Sequence, residues 1–167
     1  MIEVELKEEE ITALLGRLHR HLTDLSPVMN EIGEFLKYQT EQRFDEGVSP
    51  EGKAWAPKSP ATIAAYERRG QRVDFRPLFG PNLDGIPLRK SFLRQYGPDF
   101  VEVGTNKIYA AVMQFGARKG AFGATSRGSP IPWGDIPARP YLGISDADRA
   151  GITDILEEWL ARAAEGN

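Results

Sequence analysis

The sequence predicts an α+β fold: a small antiparallel sheet of short strands packed by N-terminal and C-terminal amphipathic helices, with long Gly/Pro-rich loops. Three observations carry this. Helical apolar spacing is clearest toward the two ends of the 167-residue chain. The apolar runs in the middle are only strand-length, and they do not alternate with helices as a doubly wound sheet requires. Two stretches, 47–60 and 116–137, concentrate glycine and proline and read as loops.

Each element follows from local pattern. Ile2, Val4 and Leu6 alternate as a short strand. Ile11, Leu14, Leu15, Leu18, Leu22 and Leu25 follow helical spacing, and Glu8, Glu9 and Glu10 suit a helix N-terminus. Ser26-Pro27 is a break and restart, with Ser as N-cap and Pro at the first helical position. Val28, Ile32, Phe35, Leu36 and Gln39 carry that helix to about Phe44, and Gly47 ends it. Ser59-Pro60 repeats the capping signature ahead of a short helix, roughly 60–69, stopped by Gly70. Residues 71–87 read as irregular. Phe100, Val101 and Val103 read as a strand ended by Gly104. Tyr109 to Phe115 fits a strand or a short helix, because so short an apolar run does not decide. The 116–137 stretch, with five glycines and three prolines, reads as a long mobile loop. Arg139 to Gly143 reads as a strand, with Pro140 favouring an edge position. Ser145 caps a last helix, with Asp148 as a short-armed capping-box partner and Ile152, Ile155, Leu156, Trp159 and Leu160 as its apolar face. Neither an internal repeat nor a linker interrupts the chain, so one domain over 1–167 is expected.

Composition narrows the function. The chain has no cysteine, which excludes disulfides, zinc–thiolate sites and a cysteine nucleophile. No apolar run approaches the roughly 18 residues of a membrane span. The opening MIEVELKEEE lacks a signal peptide's basic start, so synthesis into the cytoplasm is expected. The net charge of −3 is unevenly spread. Residues 1–46 carry −6 and residues 141–167 carry −4, whereas 51–94 carry +5 and 95–140 carry +2. Acidic ends around a basic middle suit association between unlike surfaces, or a basic surface facing something anionic.

No group of residues makes a catalytic site. His19 and His21, the only histidines, point about 200° apart at i and i+2 of a helix and cannot clamp one metal. Gly116, Gly120, Gly123 and Gly128 fit neither dinucleotide nor P-loop spacing. Asp146 and Asp148 suit the N-terminus of the last helix better than a metal. Asp99 and Glu102 are the only acids in the central strand region and make a poor hydrolytic pair. Arg68, Arg69, Arg72 and Arg76 cluster at and beyond the third helix. They serve either as a solvated helix end or as contacts to an acidic partner or to DNA. Trp55 either folds back on the core or reaches a partner. No enzyme activity, metal or cofactor is expected.

Three motifs are recognisable in order. The first is SPEGKAWAPKSPATIAAYERRG, with Pro50, Gly52, Trp55, Pro57, Ser59 and Thr62. The second, VEVGTNKIYAAVMQFG, supplies Val103-Gly104-Thr105, Tyr109-Ala110 and Gln114-Phe115-Gly116. The third is IPARPYLGIS, residues 136–145, ahead of an acidic helix. Together they resemble the phage virion morphogenesis family, tail-completion proteins of Mu-like tailed phages and prophages, over about residues 1–162. Two departures stand out. Met113 occupies a position where the family often has His or Glu, and the element from Phe79 to Phe92 is only partly kept.

The resemblance implies a structural virion protein with no catalytic residue. It would complete the phage tail and help join it to the head, as a ring, sixfold most often, around the DNA channel at the head-proximal tail end. The implied partners are further copies of itself, tail-tube or tail-terminator proteins and head–tail connector proteins. Non-specific contact with DNA in the channel is compatible, and no membrane is involved. The implied location is the tail or neck of the virion, after assembly in the host cytoplasm. A ring needs one face of a subunit to meet a different face of its neighbour. Under that reading Trp55, Lys53, Arg68, Arg69 and Arg72 are the candidate interface residues. Arg118, Lys119 and Arg127 are candidates for the lumen or an acidic neighbour. The alternative is a nucleic-acid-binding module using the basic central segment, which predicts steeply salt-dependent DNA affinity.

Overall fold

The computed structural model describes residues 8–80 and 85–165. In chain order these form α1 (Glu8–Thr23), α2 (Ser26–Glu46), α3 (Pro60–Arg68), a single 3-10 turn (Leu88–Lys90), β1 (Phe92–Tyr96), β2 (Val101–Thr105), α4 (Ala110–Phe115) and α5 (Asp146–Glu165). The fold is α+β with one two-stranded sheet. The short connection between β1 and β2, closed by Gly97 N–H donating to Phe100 O at 2.9 Å, makes the pair antiparallel. The expected strand at Ile2, Val4 and Leu6 lies outside the described residues.

The restart after α1 is capped differently from the expectation. Asp24, not Ser26, supplies the cap: its Oδ1 accepts from Ser26 N–H at 2.9 Å. The Leu25 carbonyl accepts the first helical bond, from Met29 N–H at 2.9 Å. Ser26 is therefore already inside the helix. Its hydroxyl and amide together hold the Asp24 carboxyl below the usual carboxylate range. At α3 the cap is as expected: Ser59 Oγ accepts from Thr62 N–H at 3.2 Å, and Pro60 follows.

Contacts divide the chain into two compact units. The first comprises Met1–Leu36, Arg94–Val103 and Asp146–Asn167. Here α1 packs on α5. The core is Val28, Ile32 and Trp159, surrounded by Leu25, Met29, Leu36, Val101, Ile152, Ile155 and Leu156. The apolar stripes read from α2 and α5 thus meet each other. Leu160, at 40% exposed, turns away from this core. At Gly151 of α5 the Phe35 ring of α2 packs against the bare backbone: a Cβ there would lie 2.4 Å from Phe35 Cζ. Polar side chains close the rim. Arg94 Nη2 meets Glu34 Oε1 at 2.7 Å, and Arg162 Nη2 meets Glu31 Oε2 at 2.8 Å.

The second unit comprises Lys37–Leu93 and Gly104–Ser145. Its centre is aromatic: Phe44, Trp55, Phe92 and Tyr141, with Leu88 and Ala110, are all buried. Phe44 lies within 5.7 Å, centroid to centroid, of Trp55, Phe92 and Tyr141. Phe92 opens β1, a strand whose sequence FLRQY buries little else. Of the partly kept element before it, Leu88–Lys90 form the 3-10 turn, which leads through Ser91 into β1.

One open reading is decided and one expectation is corrected. Tyr109 to Phe115 yields a helix, α4. Arg139 to Gly143 is extended but belongs to no strand. Pro140 has no N–H to offer a ladder. The neighbouring amides bond instead to a side chain and a helix end, as described next.

Candidate interaction surfaces

The three recognisable motifs converge on the aromatic centre of the second unit. The 47–59 loop folds back as a small antiparallel turn. Val48 bridges Ala54, Ser49 N–H donates to Lys53 O at 2.8 Å, and Trp55 N–H donates to Gly47 O at 2.8 Å. This turns Trp55 inward, to 7% exposed, where it meets the Phe44 ring edge-on at 5.4 Å. Its indole N–H donates to the Pro140 carbonyl at 2.8 Å. Of the two readings of Trp55, the structure takes the core one, and the side chain has little surface left for a partner. Lys53 stands exposed at the turn.

Arg139 fastens the same loop from the third motif. It is 7% exposed; its Nε donates to Ala56 O at 2.8 Å and its Nη2 to Pro57 O at 2.9 Å. Arg43 does likewise from α2, with Nη1 donating to Tyr141 O at 3.0 Å and Gly143 O at 2.9 Å. Lys58 Nζ donates to the carbonyls of Asp74 and Arg76. Burial lowers the pKa of both Lys58 and Arg139, and Asp74 opposes that shift at Lys58. Carbonyl oxygens thus replace much of the lost hydration of these buried cations. Part of the basic middle is in this way spent inside the fold.

The second motif supplies Gln114. Its Oε1 accepts from the amides of Tyr141 and Leu142, each at 3.0 Å, and its Nε2 donates to Leu142 O at 2.9 Å. Arg139 N–H donates to Met113 O at 2.8 Å. Tyr141 Oη donates to Ala110 O at 2.8 Å, and burial pushes its pKa up to about 12. Gly116 ends α4 at φ +75°, where a Cβ would sit 2.7 Å from Ile136 O. Gln114 was not singled out as a functional residue by sequence reasoning. The only signal was its place in the QFG turn of the motif.

The four-arginine cluster divides. Arg76 is engaged: it forms a two-pronged pair with Asp74, its Nη2 at 2.6 Å from Oδ2, and lies 3.5 Å over the Phe79 ring. That pair holds the Asp74 carboxyl down at about 2. Arg68 donates from Nε to Ala64 O of its own helix at 3.3 Å, and Arg69 and Arg72 are exposed beside it. Of these three, Arg72 lines an open groove with Gln71, Asp74 and Phe75, whereas Arg68 and Arg69 are not part of its lining.

The 116–137 segment has an internal ladder in place of the mobile loop expected. Ala117 and Ile136 exchange both backbone hydrogen bonds, at 2.9 and 2.8 Å. Farther out, Phe122 N–H donates to Ile131 O, Ile131 N–H to Gly123 O, and Thr125 N–H to Ser129 O, each at 2.8 Å. The result is an irregular two-stranded ribbon. The Asp135 carboxylate accepts from Lys119 N–H at 2.7 Å near its base. Arg118, Lys119 and Arg127 are exposed on it, the first two next to the Ala117–Ile136 pair and Arg127 in the turn between Thr125 and Ser129. It also displays Trp133 at 78% exposed and Phe122 at 58%. Trp133 was not singled out in the sequence, and it is the most exposed tryptophan among the described residues.

Among the described residues no cluster of His, Cys, Asp or Glu has the arrangement of a metal site, and no helix is long and apolar enough to cross a membrane.

Comparison with known proteins gives a consistent answer. The profile of the phage virion morphogenesis family matches residues 6–161. The Mu-like prophage FluMu G protein 2 of Haemophilus influenzae is 30% identical over 161 residues, 96% of each chain. The putative capsid assembly protein G of Escherichia phage Mu is 33% identical over 129 residues, 77% of this chain and 74% of that one. No solved structure matches.

Proposed function

The chain belongs to the phage virion morphogenesis family, hence to the structural and assembly proteins of phage particles, and we propose that within that role it completes the tail and helps join it to the head. In this reading it acts as a homo-oligomeric ring, hexameric, around the DNA channel at the head-proximal end of the tail. Its neighbours are tail-tube or tail-terminator proteins on one side and head–tail connector proteins on the other. Its place in the virion is the tail or neck region.

The observation that carries the reading is the contrast between the two parts of the second unit. The three sequence motifs build an aromatic core held by buried cations. The element that leaves that core, the 116–137 ribbon, displays Trp133, Phe122 and three cations to solvent. Large aromatics and arginine are what protein–protein contacts favour, and a ring subunit needs such a surface at each neighbour.

The test is genetic and structural. Induced lysates lacking the protein should contain separate heads and tails, seen by negative-stain electron microscopy, and purified protein should restore joined particles. Normal infectious particles in its absence would end the proposal. DNA binding with a steep salt dependence in the free monomer would favour the nucleic-acid alternative.

A further inference from the structure

Taking the ring reading as its basis, we propose that the 116–137 ribbon of one copy docks on the exposed acidic face of α5 in a second copy, making the contact heterologous. The ribbon side is aromatic and basic. Trp133 and Phe122 are held in water by a backbone ladder, not by chain flexibility. Arg118, Lys119 and Arg127 are exposed on the same ribbon and make no ion pair among the described residues.

The complementary surface lies on the same polypeptide. Asp154, Glu157 and Glu158 of α5 are exposed, and helical spacing puts them on one face with Ala150 and Ala161. Among the described residues these acids make no ion pair. Other surface acids are already engaged: Glu31 with Arg162, Glu34 with Arg94, Glu41 with Lys90, and Asp45 with Arg89. Asp154, Glu157 and Glu158 therefore stand out as a grouped anionic surface. Arg149 stands at the margin, and Arg162 is held by Glu31. Ribbon and helix face are different surfaces, so their pairing is head-to-tail and propagates until it closes.

Charge reversal tests this directly. Arg118→Glu/Lys119→Glu/Arg127→Glu and, separately, Asp154→Lys/Glu157→Lys/Glu158→Lys change exposed side chains only, and circular dichroism checks that both fold. Sedimentation velocity should show association of the wild type that weakens with added salt. It should show association weaker by about a hundredfold or more in each triple variant. Association should return in the chain carrying all six reversals and in a mixture of the two triple variants. Trp133→Ser should weaken association without changing its salt dependence.

Folded triple variants that associate like wild type would overturn the contact. So would a six-fold reversal no better than its parents, or a wild type monomeric both in solution and in particles. Head–tail joining in complemented lysates separates the two ideas. Triple variants that join heads and tails normally overturn the contact and leave the tail-completion role standing. Joined particles without any copy of the protein overturn that role, while sedimentation still decides the contact.

Discussion

Gln114 pairs with Leu142 as a neighbouring strand would: its side-chain Nε2 donates to the Leu142 carbonyl at 2.9 Å while its Oε1 accepts from the Leu142 amide at 3.0 Å. A single amide side chain supplies what a sheet edge would otherwise provide. It does so because Pro140, just upstream, has no N–H and α4 lies alongside.

Gln114→Ala leaves the Tyr141 and Leu142 amides without their acceptor. The expected loss is about 2 kcal/mol, the cost of part-buried donors left unpaired. Gln114→Glu keeps the acceptor and removes the donor to Leu142 O, so it should lose less. Urea denaturation of both variants checks the order. Equal stability of Gln114→Ala and wild type would show that water replaces the amide freely.

The three tryptophans should separate by fluorescence quenching. Trp55 and Trp159 are each 7% exposed and Trp133 is 78% exposed. Acrylamide should quench one accessible component in the monomer, and Trp133→Phe should remove it. Trp55→Phe should cost about 1–2 kcal/mol through the orphaned Pro140 carbonyl, and Trp55→Ala about 3–5 kcal/mol through the cavity. Thermal unfolding of the two variants tests that gap.

Two helical glycines should respond oppositely to alanine. A Cβ on Gly16 in α1 would meet nothing within 4 Å, so Gly16→Ala should stabilise by about 0.5–1 kcal/mol through helix propensity. At Gly151 the same gain meets the Phe35 ring at 2.4 Å, and overpacking of about 1–3 kcal/mol wins. Phe35→Leu should recover part of the loss in the double variant. Denaturation midpoints of the four chains decide it.

Asp74 predicts an acid limb of the stability curve. Its folded pKa of about 2 lies below the ordinary 3.8, so the stabilisation is present above about pH 4 and fades as pH falls toward 2. Arg76 and Asp74 are 51% and 35% exposed, so solvent screening keeps the contribution under about 1 kcal/mol. Asp74→Asn should match wild type near pH 2 and be less stable near pH 7. A difference that does not vary with pH would assign the loss to packing.

The helices were legible where local chemistry suffices. Ser59-Pro60 and Gly70 bracket α3 because capping and the φ of glycine act within a few residues. The convergence of α2 and α5 on Val28, Ile32 and Trp159 was latent in their apolar spacing. Strand β1 was not legible, because Arg94 and Gln95 interrupt its alternation and it is defined by pairing with β2. Residues 139–143 looked like a strand because extended backbone has the same composition whether its partner is a strand or the Gln114 amide. The ribbon looked like a loop because its ladder is made by backbone groups, to which glycine and proline patterns give no register. For the same reason Trp55 and Trp133 could not be told apart: one has a carbonyl waiting 85 residues away, and the other projects from a ladder.

The contact between Trp55 and Pro140 also sets a clock. The loop that holds Trp55 leaves the ribosome long before the carbonyl that receives its indole, and Arg43 waits still longer for Gly143, 100 residues on. The aromatic centre cannot close until most of the chain has been made, whereas α1 and α2 can form as they emerge. The ribbon is synthesised just before that closure. Because α5 follows both, a half-made copy lacks the helix on which a neighbour's ribbon would dock.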